Sequence, residues 1–159
     1  WKLFGIESDR DGRIVESVFE QLDLPDRAME SLSGGQRQRV FIGRCLVQEP
    51  AAMLLDEPDT YLDLRHAVAV NEQVRSLAKE KSIGVLWTSH DLNAAAAFAD
   101  RVVLLSEGAI VASGSADEVM RAELVSRVFG VEMERIEGGS GSPILIARPR
   151  GFSLRASLK

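Results

Sequence analysis

The 159-residue chain has a single cysteine, Cys45, which excludes an intramolecular disulfide framework and is compatible with a reducing compartment. Long hydrophobic runs are missing too. Ala94 to Ala99 and Ile144 to Ala147 are among the longest, well short of the roughly 18 apolar residues that span a bilayer, so any membrane role has to come through a partner. Basic charge is scarce: the net charge is -5 and only about the last dozen residues look basic. Wholesale nucleic-acid binding is thereby disfavoured, because neutralising phosphates needs clustered Lys and Arg. Neither His66 nor His90 joins a Cys/His cluster, so nothing suggests zinc. The chain opens on Trp1 rather than Met and has no basic stretch leading into an apolar one. It reads as lacking a secretory signal and as a piece of a longer polypeptide. What is present, 45% hydrophobic and 27% charged residues, is an ordinary globular composition of one domain's length and argues against disorder.

Ile14, Val15, Val18, Phe19 and Leu22 recur at helical spacing after an expected Asp9 to Gly12 turn, and Leu24-Pro25 stops the pattern. A second helix opens at Ser33-Gly34-Gly35, places Ile42, Cys45 and Leu46 on one face, and ends before Pro50. Ala51 to Leu55 is a continuous apolar run leading into Asp56-Glu57-Pro58, which predicts a strand buried on both faces with carboxylates at its exit. Val70, Val74, Leu77 and Ala78 mark a helix, and Ile83 to Thr88 a second buried strand. An alanine-rich helix with Asp91 as N-cap follows, then a strand at Val102 to Leu105. Two strand-helix units in succession predict a parallel sheet with right-handed crossovers. Glu107-Gly108 suits a tight hairpin into Ala109 to Ala112. Ser115 to Glu118 has the form of a capping box, with helical periodicity running through Met120, Leu124 and Val128 to Gly130. Gly138 to Pro143 reads as a turn between two short strands, and the chain from Pro149 onward as a loose tail.

Three places carry candidate chemistry. At Leu32-Ser33-Gly34-Gly35-Gln36, a hydroxyl and two glycines at a helix start offer unpaired N–H donors and the positive dipole end, with no Cβ in the way. Phosphate suits such a site, although a flexible loop with a capping serine has the same letters. Asp56 and Glu57 leave an apolar strand at the edge where open α/β sheets bind ligands. One carboxylate can hold Mg²⁺ while the other faces a water, or both are simply solvated acids. His90 follows another apolar strand at the same expected edge, although a lone histidine is commonly structural. His66, early in a helix, reads as a surface residue.

Taken in order, Leu32 to Gln36, Leu54-Leu55-Asp56-Glu57-Pro58, Thr60-Tyr61-Leu62-Asp63 and Thr88-Ser89-His90-Asp91 resemble the signature motif, Walker B, D-loop and H-loop of ABC-type ATPases. The resemblance continues through Gly108 and Gly114 to Val128-Phe129-Gly130-Val131, nearly the whole chain except about the last ten residues. It implies a P-loop NTPase-type α/β fold, ATP and Mg²⁺ as cofactors, and a head-to-tail pair of nucleotide domains. Ser33, Gly34, Gly35 and Gln36 would then form a nucleotide-binding element that touches the γ-phosphate of ATP held mainly by the opposite subunit. Asp56 would position Mg²⁺, Glu57 would polarise the attacking water, His90 would contact the γ-phosphate, and Asp63 would communicate across the dimer. Such a division suits phosphoryl transfer, which rests on positioning and charge stabilisation.

One departure stands out. The family's G-x-x-x-x-G-K-[ST] loop cannot be present, because the lysines are Lys2, Lys79, Lys81 and Lys159, and none follows a glycine. The chain therefore resembles the C-terminal part of a nucleotide domain: part of the helical subdomain over 1–48, ending in the signature helix, the C-terminal part of the ATPase core over 49–147, and a basic tail over 148–159. The P-loop strand and the N-terminal β-subdomain are the parts without a counterpart. Thr60 to Leu64, His66, Leu92-Asn93 and Val128 to Glu132 look like importers of iron–siderophore complexes, with haem and vitamin B12 importers close by. The resemblance then implies transmembrane permease subunits as partners, a periplasmic or surface substrate-binding protein indirectly, no nucleic acid, and a place on the cytoplasmic face of the plasma membrane. Two alternatives are a truncated, non-hydrolysing module that lends its signature motif to a full-length ATPase, and a non-transport ABC protein. The second would bring linked tandem domains or a long coiled coil, and neither is seen.

Overall fold

A computed structural model describes residues 8–139 and 141–148; the expected tail beyond Arg148 lies outside the described residues. The elements run α1 (Asp9–Gln21), α2 (Gly34–Leu46), β1 (Ala52–Asp56), α3 (Leu64–Glu80), β2 (Gly84–Thr88), α4 (Leu92–Phe98), β3 (Val102–Ser106), β4 (Ala109–Gly114), α5 (Ala116–Val119), α6 (Ala122–Phe129), β5 (Met133–Glu137) and β6 (Pro143–Ala147), with a 3₁₀ turn at Met29–Ser31. They fall into two compact units divided between Ser89 and His90.

In the first unit, α1 begins at Asp9, at the expected turn and not after it. Ser8 Oγ accepts from the Asp11 N–H at 3.2 Å and the Asp11 carboxylate accepts from the Ser8 N–H at 3.1 Å. This capping box makes Asp9 to Gly12 the first helical turn, because a reciprocal pair satisfies two end donors that a turn would leave to water. Val18 and Leu22 then pack on Ile42 and Leu46 of α2, in one cluster with Met53, Val70, Val74 and Leu77. A Cβ on Gly43 would lie 3.1 Å from Leu22 Cδ1, so glycine allows the helices this close approach. β1 and β2 pair in parallel, joined by α3, with Asp56 opposite Thr88.

Two expectations for the strands are corrected here. The continuous apolar run predicted burial on both faces of β1, yet Met53 is 3% exposed and Leu54 78%. Only one face of the ladder meets the cluster, and Leu86 on β2 is likewise exposed. The second concerns β3, expected both to continue the parallel sheet and to turn back into Ala109 to Ala112. Among the described residues its ladder partner is β4, antiparallel, as the hairpin requires. A two-residue turn with both φ angles positive, Glu107 at 49° and Gly108 at 76°, closes that hairpin locally, and such a turn matches the twist of antiparallel strands.

In the second unit Asp91 caps α4, accepting from the N–H groups of Asn93 and Ala94 at 2.9 and 3.0 Å. Asn93 then pins the helix to β6, its amide donating to Leu145 O at 3.1 Å and its Oδ1 accepting from the Leu145 N–H at 2.8 Å. The Ser115–Glu118 capping box forms as expected, but the helix it opens stops at Val119, and α6 starts afresh at Ala122. Met120 lies at φ -83°, ψ 44°, outside the helical region, with its side chain buried beside Val119, Leu124 and Val125. Gly130 ends α6 in the left-handed conformation that favours glycine. β5 and β6 form the expected antiparallel pair.

Candidate functional site

At the start of α2 the serine and glutamine of the signature string satisfy each other. Ser33 Oγ accepts from the Gln36 N–H at 3.3 Å, and Gln36 Oε1 accepts from the Ser33 N–H at 2.9 Å. The N–H groups of Gly34 and Gly35, in the first helical turn, have no protein acceptor among the described residues. Such donors, at the positive end of a 13-residue helix, are what an anion needs. Both glycines also lie close to neighbouring side chains. A Cβ on Gly34 would sit 3.3 Å from Leu62 Cδ2, and one on Gly35 only 2.8 Å from His66 Cδ2. The signature glycines thus lie directly against the segment that begins α3.

That segment is a tight turn from Glu57 to Asp63. Glu57 and Tyr61 adopt left-handed φ angles of 43° and 66°. Thr60 Oγ1 donates to Glu57 Oε2 at 2.7 Å, and the buried Asn71 of α3 donates from Nδ2 to Asp59 Oδ2 at 3.0 Å. Asp63 caps α3 through the His66 N–H at 3.0 Å, and its other oxygen meets His66 Nδ1 at 2.8 Å. The backbone N–H of His66, and after it the side-chain bond, hold the Asp63 carboxyl below its ordinary range by stabilising the anion.

The two adjacent carboxylates have different partners, as their succession at a strand exit predicts. Asp56 Oδ1 accepts from Thr88 Oγ1 at 2.6 Å, whereas Glu57 offers its backbone N–H to the same hydroxyl at 3.0 Å and its side chain to Thr60. Thr88, paired with Asp56 across the ladder, therefore fixes both residues at once. His90 is the first residue of the second unit, one residue beyond Ser89, and Asp91 beside it belongs to the α4 cap.

Sequence reasoning passed over Thr88, Thr60 and His66. Thr88 and Thr60 stand inside quoted strings but received no role. Cross-strand register would have found Thr88, and spacing of three residues from Glu57 would have found Thr60. His66, expected as a surface residue, keeps 47% of its side chain exposed but closes over Gly35. Among the described residues no three His, Cys, Asp or Glu side chains gather into a group that could hold a metal ion by protein ligands alone. Mg²⁺ is held by one or two carboxylates, its other ligands coming from phosphate and water.

The sequence profile of the ABC transporter family matches residues 6–60. The ferric enterobactin transport ATP-binding protein of Escherichia coli (strain K12) is 41% identical over 124 residues, covering 77% of this chain and 46% of that protein. The chain belongs to the ABC transporter ATP-binding domain family. Two further relatives of this ABC ATPase chain are the iron(3+)-hydroxamate import ATP-binding protein of Bacillus subtilis (strain 168), 40% identical over 134 residues, and the hemin import ATP-binding protein of Rhodococcus jostii (strain RHA1), 45% over 133. They are covered to 50% and 45% of their lengths, and 82% of this chain is covered in each case. The ABC ATPase chain thus spans about half the length of the curated relatives it matches. Among solved structures it superposes on an ABC transporter in an inward-facing conformation with a TM-score of 0.84 at 25% identity, over 93% of this chain and 62% of that one. An ATP-binding cassette of an ABC transporter in its ADP conformation gives 0.72 at 27% identity, over 81% and 52%. The fold is that of a partial P-loop ABC ATPase. No helix among the described residues is long and apolar enough to cross a membrane.

Proposed function

We propose that this chain forms the signature and carboxylate part of an ATP-hydrolysing subunit that energises import of an iron–siderophore-like substrate. The observation carrying this reading is the pair of anion-ready N–H groups at Gly34 and Gly35, packed against a turn that leaves Asp56 and Glu57 on separate partners. In this reading residues 1–48 contribute part of the helical subdomain and 49–147 part of the ATPase core. Asp56, steadied by Thr88, holds Mg²⁺, which when bound offsets phosphate charge. Glu57 accepts a proton from, or orients, the attacking water. Ser33, Gly34, Gly35 and Gln36 form the nucleotide-binding element, in which Gly34 and Gly35 present backbone donors to a γ-phosphate bound mainly by a second, head-to-tail nucleotide domain. His90 contacts a γ-phosphate, and Asp63 relays the state of one site to the other. Permease subunits are the direct partners and an external substrate-binding protein the indirect one, which places the subunit at the cytoplasmic face of the plasma membrane. Because the sequence has no P-loop lysine, the 159 residues alone bind the phosphates too weakly for turnover at a family-like rate.

The test is Mg²⁺-dependent ATP hydrolysis and nucleotide binding by the whole gene product. Glu57→Gln is expected to stop turnover and retain ATP, whereas Asp56→Asn weakens Mg²⁺-dependent binding. Equal loss of binding in both variants, or unchanged hydrolysis in Glu57→Gln, refutes the assignment. Steady hydrolysis by the 159-residue chain alone, abolished by Glu57→Gln, refutes its dependence on a missing P-loop.

A further inference from the structure

The histidine beside the signature glycines has no part in the roles above, yet it lies directly over Gly35. The residue is tied to Asp63 twice, its ring by Nδ1 to Oδ2 at 2.8 Å and its backbone N–H to Oδ1 at 3.0 Å. The position a Gly35 Cβ would occupy lies 2.8 Å from Cδ2, 3.2 Å from Cγ and 3.3 Å from Cβ of His66. No rotation of the ring alone clears the last of these contacts. Because an ionised carboxylate can only accept, Nδ1 is the donor in the bond to Asp63. His66 and Gly35 both line a groove of about 640 Å³ along α2 and α3, with Arg39, Arg65 and Glu72 on its walls.

We infer that His66 is a positioning residue: gripped by Asp63, it locks the Gly34–Gly35 backbone to the Glu57–Asp63 turn, so that the α2 donors and Asp63 keep one fixed relative position. Its functional half rests on the ATPase reading; its structural half does not. Asp63 is in this way joined to the phosphate-facing backbone of its own subunit, through one ring and no covalent link.

Two measurements test this. In the 159-residue chain, ¹⁵N relaxation is expected to give Gly34 and Gly35 order parameters of about 0.85, falling below about 0.6 in His66→Ala and recovering in His66→Gln, whose amide can still donate to Asp63. Unchanged values in His66→Ala overturn the inference. So does loss in both variants together with an equal fall in thermal midpoint, which is the mark of packing alone. In the whole gene product, His66→Ala is expected to lower kcat for MgATP about tenfold with KM within about twofold, and His66→Gln to restore it, since misplaced donors cost most in the transition state. Unaltered kcat in an active gene product overturns the functional half. A gene product without Mg²⁺-dependent turnover refutes the ATPase reading instead, and the relaxation measurement then decides the inference.

Discussion

Adding one methyl group to Gly35 sets two effects of known size against each other. Gly→Ala within a helix ordinarily stabilises by up to about 1 kcal/mol, because glycine loses more backbone freedom on folding. Here the new Cβ would stand 2.8 Å from the His66 ring, so the imidazole must move. Moving it strains a rotamer, at about 0.5–1.5 kcal/mol, and gives up a hydrogen bond with a net value of about 0.5–1.5 kcal/mol. Because the His66 side chain is 47% exposed, water replaces part of that bond and the lower half of each range applies. Gly35→Ala is therefore expected to destabilise the first unit slightly in the natural background. In His66→Ala, where the ring contacts at 2.8 and 3.2 Å are gone and only the 3.3 Å approach to Cβ remains, the same change is expected to stabilise by less than about 1 kcal/mol. Calorimetry of the four proteins reads this as midpoint shifts of opposite sign, at about 4–8 °C per kcal/mol for a unit of this size. Shifts of the same sign and size in both backgrounds would refute the reasoning, since no coupling would then exist between the two residues.

Leu22→Ala removes a side chain that is 0% exposed between α1 and α2, and chemical denaturation is expected to show a loss of about 2–5 kcal/mol; a loss under 1 kcal/mol would mean that the cluster closes over the cavity. Asn71→Ala is expected to lose only about 1 kcal/mol despite 2% exposure, because one bond to Asp59 is lost while the partnerless Oδ1 also disappears. A loss above about 3 kcal/mol would contradict that balance. Asp63 titrates below its ordinary range in the folded chain, so its contribution is complete above the unfolded-state value near 4 and fades as pH falls through the lower folded value. Asp63→Asn is expected to flatten the acid limb of stability against pH, and an unchanged limb would exclude this carboxylate as a source of it.

Local features were legible wherever a few adjacent letters specify a backbone geometry. Ser33 and Asp91 as helix caps, the Ser115–Glu118 box and the Glu107-Gly108 turn all formed as expected. The same rule explains one miss: Ser8 and Asp11 spell a capping box, but the Asp-Arg-Asp-Gly letters between them also spell a turn, and only the pair's simultaneous bonds decide it. Pairing was less legible. The apolar letters of β3 suit a parallel neighbour or a hairpin equally, and the short turn beside it favoured the hairpin. Met120 continues a helical pattern in sequence, yet its burial is compatible with a break in the backbone. At the site, motif order picked out Ser33, Gly34, Gly35, Asp56, Glu57 and Asp63, and the structure sets the glycines against the segment running through Asp63. Thr88 and His66 escaped because their importance lies in what they touch, 32 residues from Asp56 in one case and across two helices in the other.

The left-handed backbone at Glu57 sets stability and activity against each other at a single residue. A side chain other than glycine in this region costs about 1–2 kcal/mol, and Glu57 sits there at φ 43°, kept in place by its N–H bond to Thr88 and its carboxylate bond to Thr60. Glycine would relax that strain, and asparagine would ease it. A library screened for heat resistance alone should therefore drift toward Gly or Asn at position 57 and discard the proposed base along the way, whereas a screen for turnover should restore Glu and accept a lower melting point.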